Sequence, residues 1–480
     1  MINPRVRFAP SPTGYLHLGG ARTAIYNWLF AKKHNGDFLL RIEDTDVERS
    51  DRKMVEQITN SLKWLNIDWE EEIVYQSHRG HLYREVVEKL IEEGHAYRCF
   101  CSDEELEAER KQFEKKKGSY KYSGKCRNLS EEEIQKNLDN QREFSVRLKI
   151  DKLKTTEWTD IIYGDISINN KDIDDFIIQR SDGSPTYQLA VVVDDADMRI
   201  SHVIRGEDHV PNTPKQINLF NALGKEHPQY CHLPLLIGRD KKRLSKRHGA
   251  TAVNEYQKMG FCPEAVVNYL TLLGRTAKSD QEIMSIDQII NDFAIDKISR
   301  KPTVFDIKKL EWINSKHLSG KSADDIYQVI LPKLVEKNWV KEDPENPAYI
   351  KAVINLLKSR VKTYNHFIEW GDYFFEEPDS YDPKAAQKRW KNENVNSHME
   401  ALYNDLESLE DWSVEKLEEV IRGKAEELGV GAGKLIHPLR LALTGYGISP
   451  GIFKLVKIIG KDRTLKRIKT ALAKLPLNEE

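Results

Sequence analysis

The stretch RVRFAPSPTGYLHLGGAR, Arg5 to Arg22, decides the fold. Arg5–Ala9 alternates polar and apolar residues with the period of a half-buried strand. PSPTG (Pro10–Gly14) punctuates it, and Gly19 and Gly20 lead into a helical stretch through Tyr26, Leu29 and Phe30. FLLRI (Phe38–Ile42) reads as a second short strand, ending in the acids Glu43, Asp44 and Asp46. Strand, glycine-rich loop, helix, strand is the order of an α/β unit. A loop of this kind exposes unpaired backbone N–H groups at the helix start, a natural seat for phosphate. His17 can donate to a phosphate oxygen where charge develops in nucleotidyl transfer. The same letters also fit a plain strand–helix turn, and the loop alone does not choose between the two.

Outward from this unit the texture changes. Around residues 99–140 a charged segment, EELEAERKQFEKKKG, sits among three cysteines, Cys99, Cys101 and Cys126. Strand-like runs follow at FSVRLKI (Phe144–Ile150), DFIIQR (Asp175–Arg180) and TYQLAVVVDD (Thr186–Asp195), the last apolar enough at its centre for a buried strand. These runs predict an insertion that splits the first domain, which resumes near HVIRGEDH (His202–His209). Beyond about residue 320 helical period takes over. Leu417, Val420, Ile421, Ala425 and Leu428 recur at helical spacing, with Ser413 as N-cap and Gly429 just past the end.

The 480 residues are 39% hydrophobic and 31% charged, which predicts two to four domains at ~100–200 residues each and excludes disorder and small disulfide scaffolds. No apolar run approaches the ~18–20 residues of a membrane span, and MINPRVRFAP lacks the apolar stretch of a signal peptide. Five cysteines, an odd number, suit a reducing compartment, with Cys231 and Cys262 reading as isolated core residues. A cytoplasmic protein with no membrane partner is expected. Net charge is −2, yet residues 431–480 carry ten Lys/Arg against three acids, and KKRLSKR (Lys241–Arg247) has five cations in seven. Two separate basic regions on a neutral chain fit a nucleic-acid partner that touches distant parts of the fold, or else solvated helix faces.

The string P-S-P-T-G-x-x-H-x-G-G (Pro10–Gly20) closely resembles the first signature of the class I aminoacyl-tRNA synthetases, in its glutamyl-tRNA synthetase version. The resemblance continues at RIEDTD (Arg41–Asp46), PTYQLAVVVDD (Pro185–Asp195), VIRGEDH (Val203–His209) and KRLSKRHG (Lys242–Gly249), the last similar to the second class signature. At the far end LIHPLRLALTG…PGIFKLVKIIG (Leu435–Gly460) resembles the helical anticodon domains of bacterial-type members. The resemblance implies an α/β, Rossmann-like class I synthetase catalytic domain with an inserted α/β acceptor-binding domain, followed by an all-α anticodon-binding half. The expected division is 1–98 and 191–245 for the catalytic domain, 99–190 for the insertion, 246–325 for the signature loop and stem-contact helices, and 326–480 for the anticodon-binding domain.

It also implies substrates: L-glutamate, ATP with Mg²⁺, and tRNA(Glu), with tRNA(Gln) left open. Glutamate carries two carboxylates and an ammonium, so its pocket needs cations and an anion; arginine suits a carboxylate because its planar fork donates two parallel hydrogen bonds. By resemblance Arg7 and Arg205 contact the substrate, Ser11 and Glu43 hold its amino end, and Tyr187 lines the pocket. Gly19, Gly20 and Ser245 face ATP together with His17 and Lys246, the two catalytic candidates, and Glu207 is a candidate for the ribose. The Lys246 ammonium would neutralise charge on the α-phosphate and leaving pyrophosphate. Cys99, Cys101, Tyr122 and Cys126 resemble the zinc ligands of some family members; three free reduced thiols is the other reading. Nothing requires more than a monomer. Two rival classes are a non-catalytic tRNA-binding adaptor and a small-molecule adenylyltransferase. ATP–pyrophosphate exchange with and without tRNA separates all three.

Overall fold

The computed structural model describes residues 3–45, 51–115, 121–244, 252–275, 281–391 and 393–475. The chain divides into two compact units, one of residues 1–258 and 263–310, the other of 259–262 and 311–480.

The first unit opens as the sequence predicts, with β1 (Arg5–Phe8), α1 (Leu18–Lys33) and β2 (Asp37–Ile42). The helix buries Ala21, Ala24, Ile25 and Leu29 and ends on Lys32 and Lys33, cations set against its negative pole. β1 and β2 pair in parallel with Arg7 opposite Leu39, and beyond α2 (Arg52–Trp64) the short β3 (Val74–Tyr75) extends the sheet in the same sense. The chain continues through α3 (Gly80–Glu92), β4 (Ala96–Cys99), α4 (Asp103–Lys115), α5 (Glu131–Asp139) and β5 (Ser145–Leu148). Next come β6 (Thr155–Asp160), β7 (Gly164–Asn169), β8 (Ile177–Gln179), α6 (Tyr187–Asp197), β9 (His202–Gly206), α7 (Thr213–Ala222) and β10 (Gln229–Leu233).

Two sheets result. β4, β5 and β8 form an antiparallel sheet whose Val146, Leu148 and Ile178 pack on Tyr83, Val87 and Leu90 of α3 and on α6. β9, β10 and β6 pair in parallel, and β7 closes that edge as the antiparallel arm of a hairpin with β6. The parallel strands meet the first three at β1, where Ser201 N–H donates to Arg5 O (2.9 Å) and Arg5 N–H to Ser201 Oγ (2.8 Å). Parallel strands joined by helices bury both faces, which places their carboxyl ends, and any ligand there, at one rim.

One expected element differs. TYQLAVVVDD is not a strand but α6, with every residue from Leu189 to Asp195 buried. A continuous apolar run has no period, so it fits a helix enclosed on all sides as well as a central strand. The strands expected at Phe144–Ile150 and Asp175–Arg180 are present as β5 and β8, and β9 lies where the first domain is expected to resume.

The second unit is helical throughout its described residues. Helices Glu393–Ser408, Gly433–Thr444 and Lys461–Lys474 pack around Trp390, Leu402, Leu439 and Ile468. The helix Val414–Glu427 has the predicted ends: Ser413 Oγ accepts from Lys416 N–H, and Gly429 has φ +64°. The C-terminal cations do two different jobs. Arg467 is buried, donating to Glu377 and to the carbonyls of Leu443 and Glu376, whereas Lys434, Lys454, Lys457, Lys466, Lys469 and Lys474 are exposed.

Where α1 turns into β2, Gly36 lies against the residue preceding β1: a β-carbon there would sit 2.1 Å from the Pro4 carbonyl oxygen, which accepts from Asp37 N–H. Gly36→Ala should therefore lower stability by about 1–3 kcal/mol by wedging β1 from β2, read as a lower denaturant midpoint for the first unit.

Candidate functional site

The carboxyl ends of β1 and β9 and the start of α1 enclose a cavity of about 920 Å³. Arg7, Ser11, His17, Gly19, Gly20, Glu43, Tyr187 and Arg205 all line it, although they are up to about 200 positions apart in the chain. Ser245, Lys246 and Asp46 fall outside the described residues. The segment carrying the two former is approached from both sides: Leu244 lines the cavity, and Ala252, at the start of α8 (Val253–Lys258), pairs with His17 in an antiparallel bridge, with Val253 N–H donating to Leu16 O (2.9 Å). His17 is exposed and makes no capping bond to α1, so its imidazole is uncommitted by the helix it precedes. A β-carbon on Gly19 would meet nothing within 4 Å, leaving bare backbone toward open space at the helix start.

The charged residues fall into two groups. On one side Asp195, at the end of α6, accepts from Arg7 Nε (2.9 Å), Arg7 Nη2 (3.2 Å) and Arg41 Nη1 (2.6 Å). Arg41 also reaches Glu43, 3.4 Å from Nη2 to Oε1. Arg7 is thus paired with Asp195 and Glu43 with Arg41, all nearly sealed from solvent. Burial raises the Glu43 carboxyl, against the opposing pull of Arg41 and Arg7. A ligand ammonium beside it would supply the positive charge that burial makes this carboxylate need.

On the other side Arg205 is buried without a carboxylate contact among the described residues. Nη2 donates to Thr213 Oγ1 (2.9 Å), Nε to His232 Nε2 (3.2 Å), and Nη1 is buried with no partner. Burial lowers its pKa, the signature of a cation short of negative charge. Between the groups Tyr187 shares a 3.0 Å hydrogen bond with His209 Nδ1. Burial and then Glu43 push the tyrosine up to about 12, and burial and then Arg205 push the histidine down to about 4, so both are neutral near pH 7.

Glu207 stands apart from this set. It does not line the cavity; one carboxylate oxygen accepts from Leu235 N–H (2.8 Å) and the other from the Tyr163 hydroxyl. Several residues of the site went unnoticed in the sequence. Asp195, Arg41 and His209 lie inside the quoted strings and are betrayed only by being charged or polar beside apolar runs. His232 and Asp160 carry no signal at all.

A second constellation lies near β4. The Sγ atoms of Cys99, Cys101 and Cys126 fall within 4.8 Å of one another, with Cys101 and Cys126 3.6 Å apart. Tyr122 Oη is 3.3 Å from Cys99 Sγ and 3.5 Å from Cys101 Sγ, and the Arg147 guanidinium lies 3.8 Å above its ring. A hydrogen bond from Cys126 lowers the Cys99 thiol, while burial raises Cys101 and the bond to Cys99 raises Cys126. Cys231 and Cys262 are buried and distant from the cluster in the sequence, as expected.

Residues 3–312 match the catalytic-domain model of the class I tRNA synthetases for E and Q, and residues 325–472 match an anticodon-binding domain model. The chain belongs to the glutamate–tRNA ligase family. It is 44% identical to glutamate–tRNA ligase 1 of Caldanaerobacter subterraneus subsp. tengcongensis over 472 residues, 98% of either chain. It is 43% identical to the glutamate–tRNA ligase of Geobacter sulfurreducens over 475 residues, 99% of this chain and 100% of that one. A crystal structure of a glutamate tRNA ligase from Elizabethkingia meningosepticum, in complex with its amino acid, superposes with a TM-score of 0.91 at 34% identity, covering 98% of this chain and all of that one. The family thus has a class I catalytic domain followed by a helical anticodon-binding domain, and this chain has both.

Asp195 supplies a test of how the first charged group holds together. Burial alone would raise it, but Arg41 and Arg7 outweigh burial and hold it below the usual carboxylate range. A depressed acid contributes stability that is present above its unfolded pKa of ~3.9 and lost as pH falls through the lower folded value. Asp195→Asn should cost about 3–5 kcal/mol at pH 7 by stranding the buried Arg7 guanidinium and leaving Arg41 only its longer contacts to Glu43 and Asp194. That deficit should shrink below about pH 4, as protonation first of the unfolded chain and then, at lower pH, of the folded parent removes the same charge; unfolding midpoints of both proteins between pH 7 and pH 3 measure it.

Proposed function

We propose that this chain activates L-glutamate with ATP and transfers it to the 3′-terminal adenosine of tRNA(Glu). The observation that carries the reading is the pairing, across one cavity, of an unpartnered Arg205 Nη1 with a buried Glu43 carboxylate. One suits a substrate carboxylate and the other its ammonium. Glutamine would leave the arginine partly unpaired in a buried site, a penalty of ~1–3 kcal/mol.

In the first step an oxygen of the glutamate α-carboxylate attacks the α-phosphorus of ATP, and the bond to pyrophosphate breaks. Glutamyl-adenylate forms with no protein nucleophile. Arg7, Arg205, Ser11 and Glu43 hold the amino acid, Tyr187 lines its pocket, and bare backbone at Gly19 and Gly20 lets the nucleotide approach. His17, with Ser245 and Lys246, stabilises charge on the phosphates as pyrophosphate leaves. The Mg²⁺ that class I synthetases use with ATP neutralises phosphate charge. In the second step the terminal ribose hydroxyl of tRNA attacks the activated carbonyl and AMP departs. Positioning and electrostatics carry both steps. Glu207 remains the ribose candidate only if its bonds to Leu235 and Tyr163 open, since both oxygens are engaged.

The tRNA is held by residues 99–190 at the acceptor end, by 246–325 along the stem and by 326–480 at the anticodon, with 1–98 and 191–245 as the catalytic domain. The exposed lysines of the C-terminal helices supply phosphate contacts whose affinity falls with salt. The same chain charges tRNA(Gln) if its helical domain tolerates that anticodon. It works as a cytoplasmic monomer; among the described residues no helix is long and apolar enough to cross a membrane.

ATP–pyrophosphate exchange is the test. Exchange with glutamate should appear or rise steeply when tRNA(Glu) is added, and charging of purified tRNA(Glu) and tRNA(Gln) should then be scored side by side. Lys246→Ala should cut activation by at least a hundredfold while tRNA binding survives. Exchange independent of tRNA would point to an adenylyltransferase, and no exchange to an adaptor.

Zinc is proposed at Cys99, Cys101, Cys126 and Tyr122. Tetrahedral ligands at Zn–S ~2.3 Å stand about 3.8 Å apart, and the 3.6 Å between Cys101 and Cys126 fits without rearrangement. The metal would tie β4 to the loop at Cys126 as a structural cross-link. Cys101→Ser should abolish stoichiometric zinc, measured by elemental analysis, and weaken tRNA charging before it lowers the melting temperature. A parent protein purified without chelators and free of zinc would refute the site.

A further inference from the structure

Behind Arg205 lies a buried acid–imidazole pair that the reaction as described does not use. His232 on β10 is fully buried, with Nδ1 2.6 Å from Asp160 Oδ2 at the end of β6. Asp160 is almost fully buried too, and its other three partners are backbone N–H groups. Oδ1 accepts from Ile162 (2.9 Å) and Tyr163 (2.9 Å), and Oδ2 from His232 itself (3.2 Å). A carboxylate so surrounded has only acceptor roles left, so His232 Nδ1 carries the proton. On the opposite edge of the ring Nε2 faces Arg205 Nε–H, which can only donate. Both edges therefore demand the same neutral tautomer, proton on Nδ1 and lone pair on Nε2. Burial lowers the imidazole pKa, and Arg205 adds to that against the opposing pull of Asp160.

The arrangement fixes Arg205 in one orientation. With Nε held by His232 and Nη2 by Thr213 Oγ1, rotation of the guanidinium is blocked, and Nη1 is the nitrogen left for a ligand. The ring stacks on Tyr230 (6.1 Å, 10° between planes), which also lies 5.5 Å beneath the guanidinium. Charge compensation follows the same route. Among the described residues Arg205 has no contacting carboxylate, and Asp160 supplies a negative charge one imidazole away, close enough to favour a buried cation and too far to occupy its free edge.

We propose that Asp160 and His232 are positioning residues for amino-acid selection: through the Nδ1–H tautomer they aim the free edge of Arg205 at a substrate carboxylate. The inference rests on the reading of Arg205 as a substrate contact given above. Its logic is that of an outer hydrogen-bonded partner orienting a ligand-binding group.

Exchange kinetics on the full-length enzyme with tRNA(Glu) present test it, with KM measured separately for glutamate and ATP. His232→Leu and Asp160→Asn should each raise the glutamate KM about tenfold to a hundredfold, with the ATP KM within twofold of the parent. His232→Gln, whose amide oxygen can stand where Nε2 accepts, should recover most of the loss. A glutamate KM within threefold of the parent in His232→Leu overturns the proposal. So does a rise in both KM values that tracks a fall in melting temperature, or a failure of Gln to rescue. Arg205→Ala separates the levels: an unchanged glutamate KM there overturns the substrate role of Arg205 and this inference with it, whereas a large rise beside an innocuous His232→Leu overturns the inference alone. Should the Leu variant not fold, ¹⁵N-histidine NMR of the parent at pH 7 decides, the His232 signal being assigned from its loss in His232→Gln. A neutral Nδ1–H ring supports the relay, and an Nε2–H ring or an imidazolium overturns it.

Discussion

The Asp195 carboxylate is the fastening on which the first half of the site depends. It closes α6 and grips Arg7 of β1 and Arg41 of β2 at once, locking a helix to two neighbouring parallel strands. Three charged groups so deeply buried would be unstable singly, and desolvation makes such clusters poor sources of net stability. Their value here is geometric. Arg7 is held by two of its nitrogens, Glu43 is leaned on by Arg41, and the ends of β1 and β2 are drawn to one rim. The adjacent Asp194 does the same work away from the cavity, accepting from Gln76, Arg79 and Tyr83. One pair of adjacent acids in α6 thus points one carboxylate at the site and the other at the scaffold.

The second half of the site reverses that pattern. Arg205 is given hydrogen-bond acceptors but, among the described residues, no contacting acid, so it is oriented without being neutralised by them. A buried guanidinium in that state has a free-energy reason to take up a carboxylate, whereas Arg7, already paired, has less. The two arginines that the sequence treats as equivalent are therefore electrostatically unlike. Under the proposed reading, selectivity for an acid over its amide would follow from the unpaired one, because an amide supplies no charge to the cation that lacks it.

How much of this was legible in the sequence varies with the physical signal. The β1–loop–α1–β2 unit was readable because alternation, glycine punctuation and helical period are local properties. Ser413 and Gly429 were readable for the same reason, since caps are chosen by the backbone beside them. The run at Val191–Val193 was misread as strand because periodicity disappears when every face is buried. The partners of Arg7 were not legible either. Arg7 pairs with Asp195, 188 positions away, and no local pattern joins the two; only the fold brings them together. His232 illustrates the limit: a lone histidine in QYCHL has no pattern around it, and its meaning comes wholly from Asp160 on one edge and Arg205 on the other.

The thiol cluster differs from Arg205 in the sign of its charge. Three sulfurs and a phenol brought together without a cation can share only one negative charge, because each further thiolate would face the first at less than 5 Å. Arg147 sits over Tyr122 and beside Cys99 and answers that single charge. A divalent ion entering the cluster would displace protons from the remaining thiols, and the folding energy it returned would fall on β4 and the Cys126 loop, which a small apolar cluster otherwise holds. At the thiol cluster Arg147 answers the charge, whereas Arg205 has no contacting carboxylate among the described residues. Under the proposed reading its ligand would arrive and leave with each turnover, so the cation must be kept in place by other means, and a buried imidazole backed by an acid would do so without blocking the edge the substrate needs.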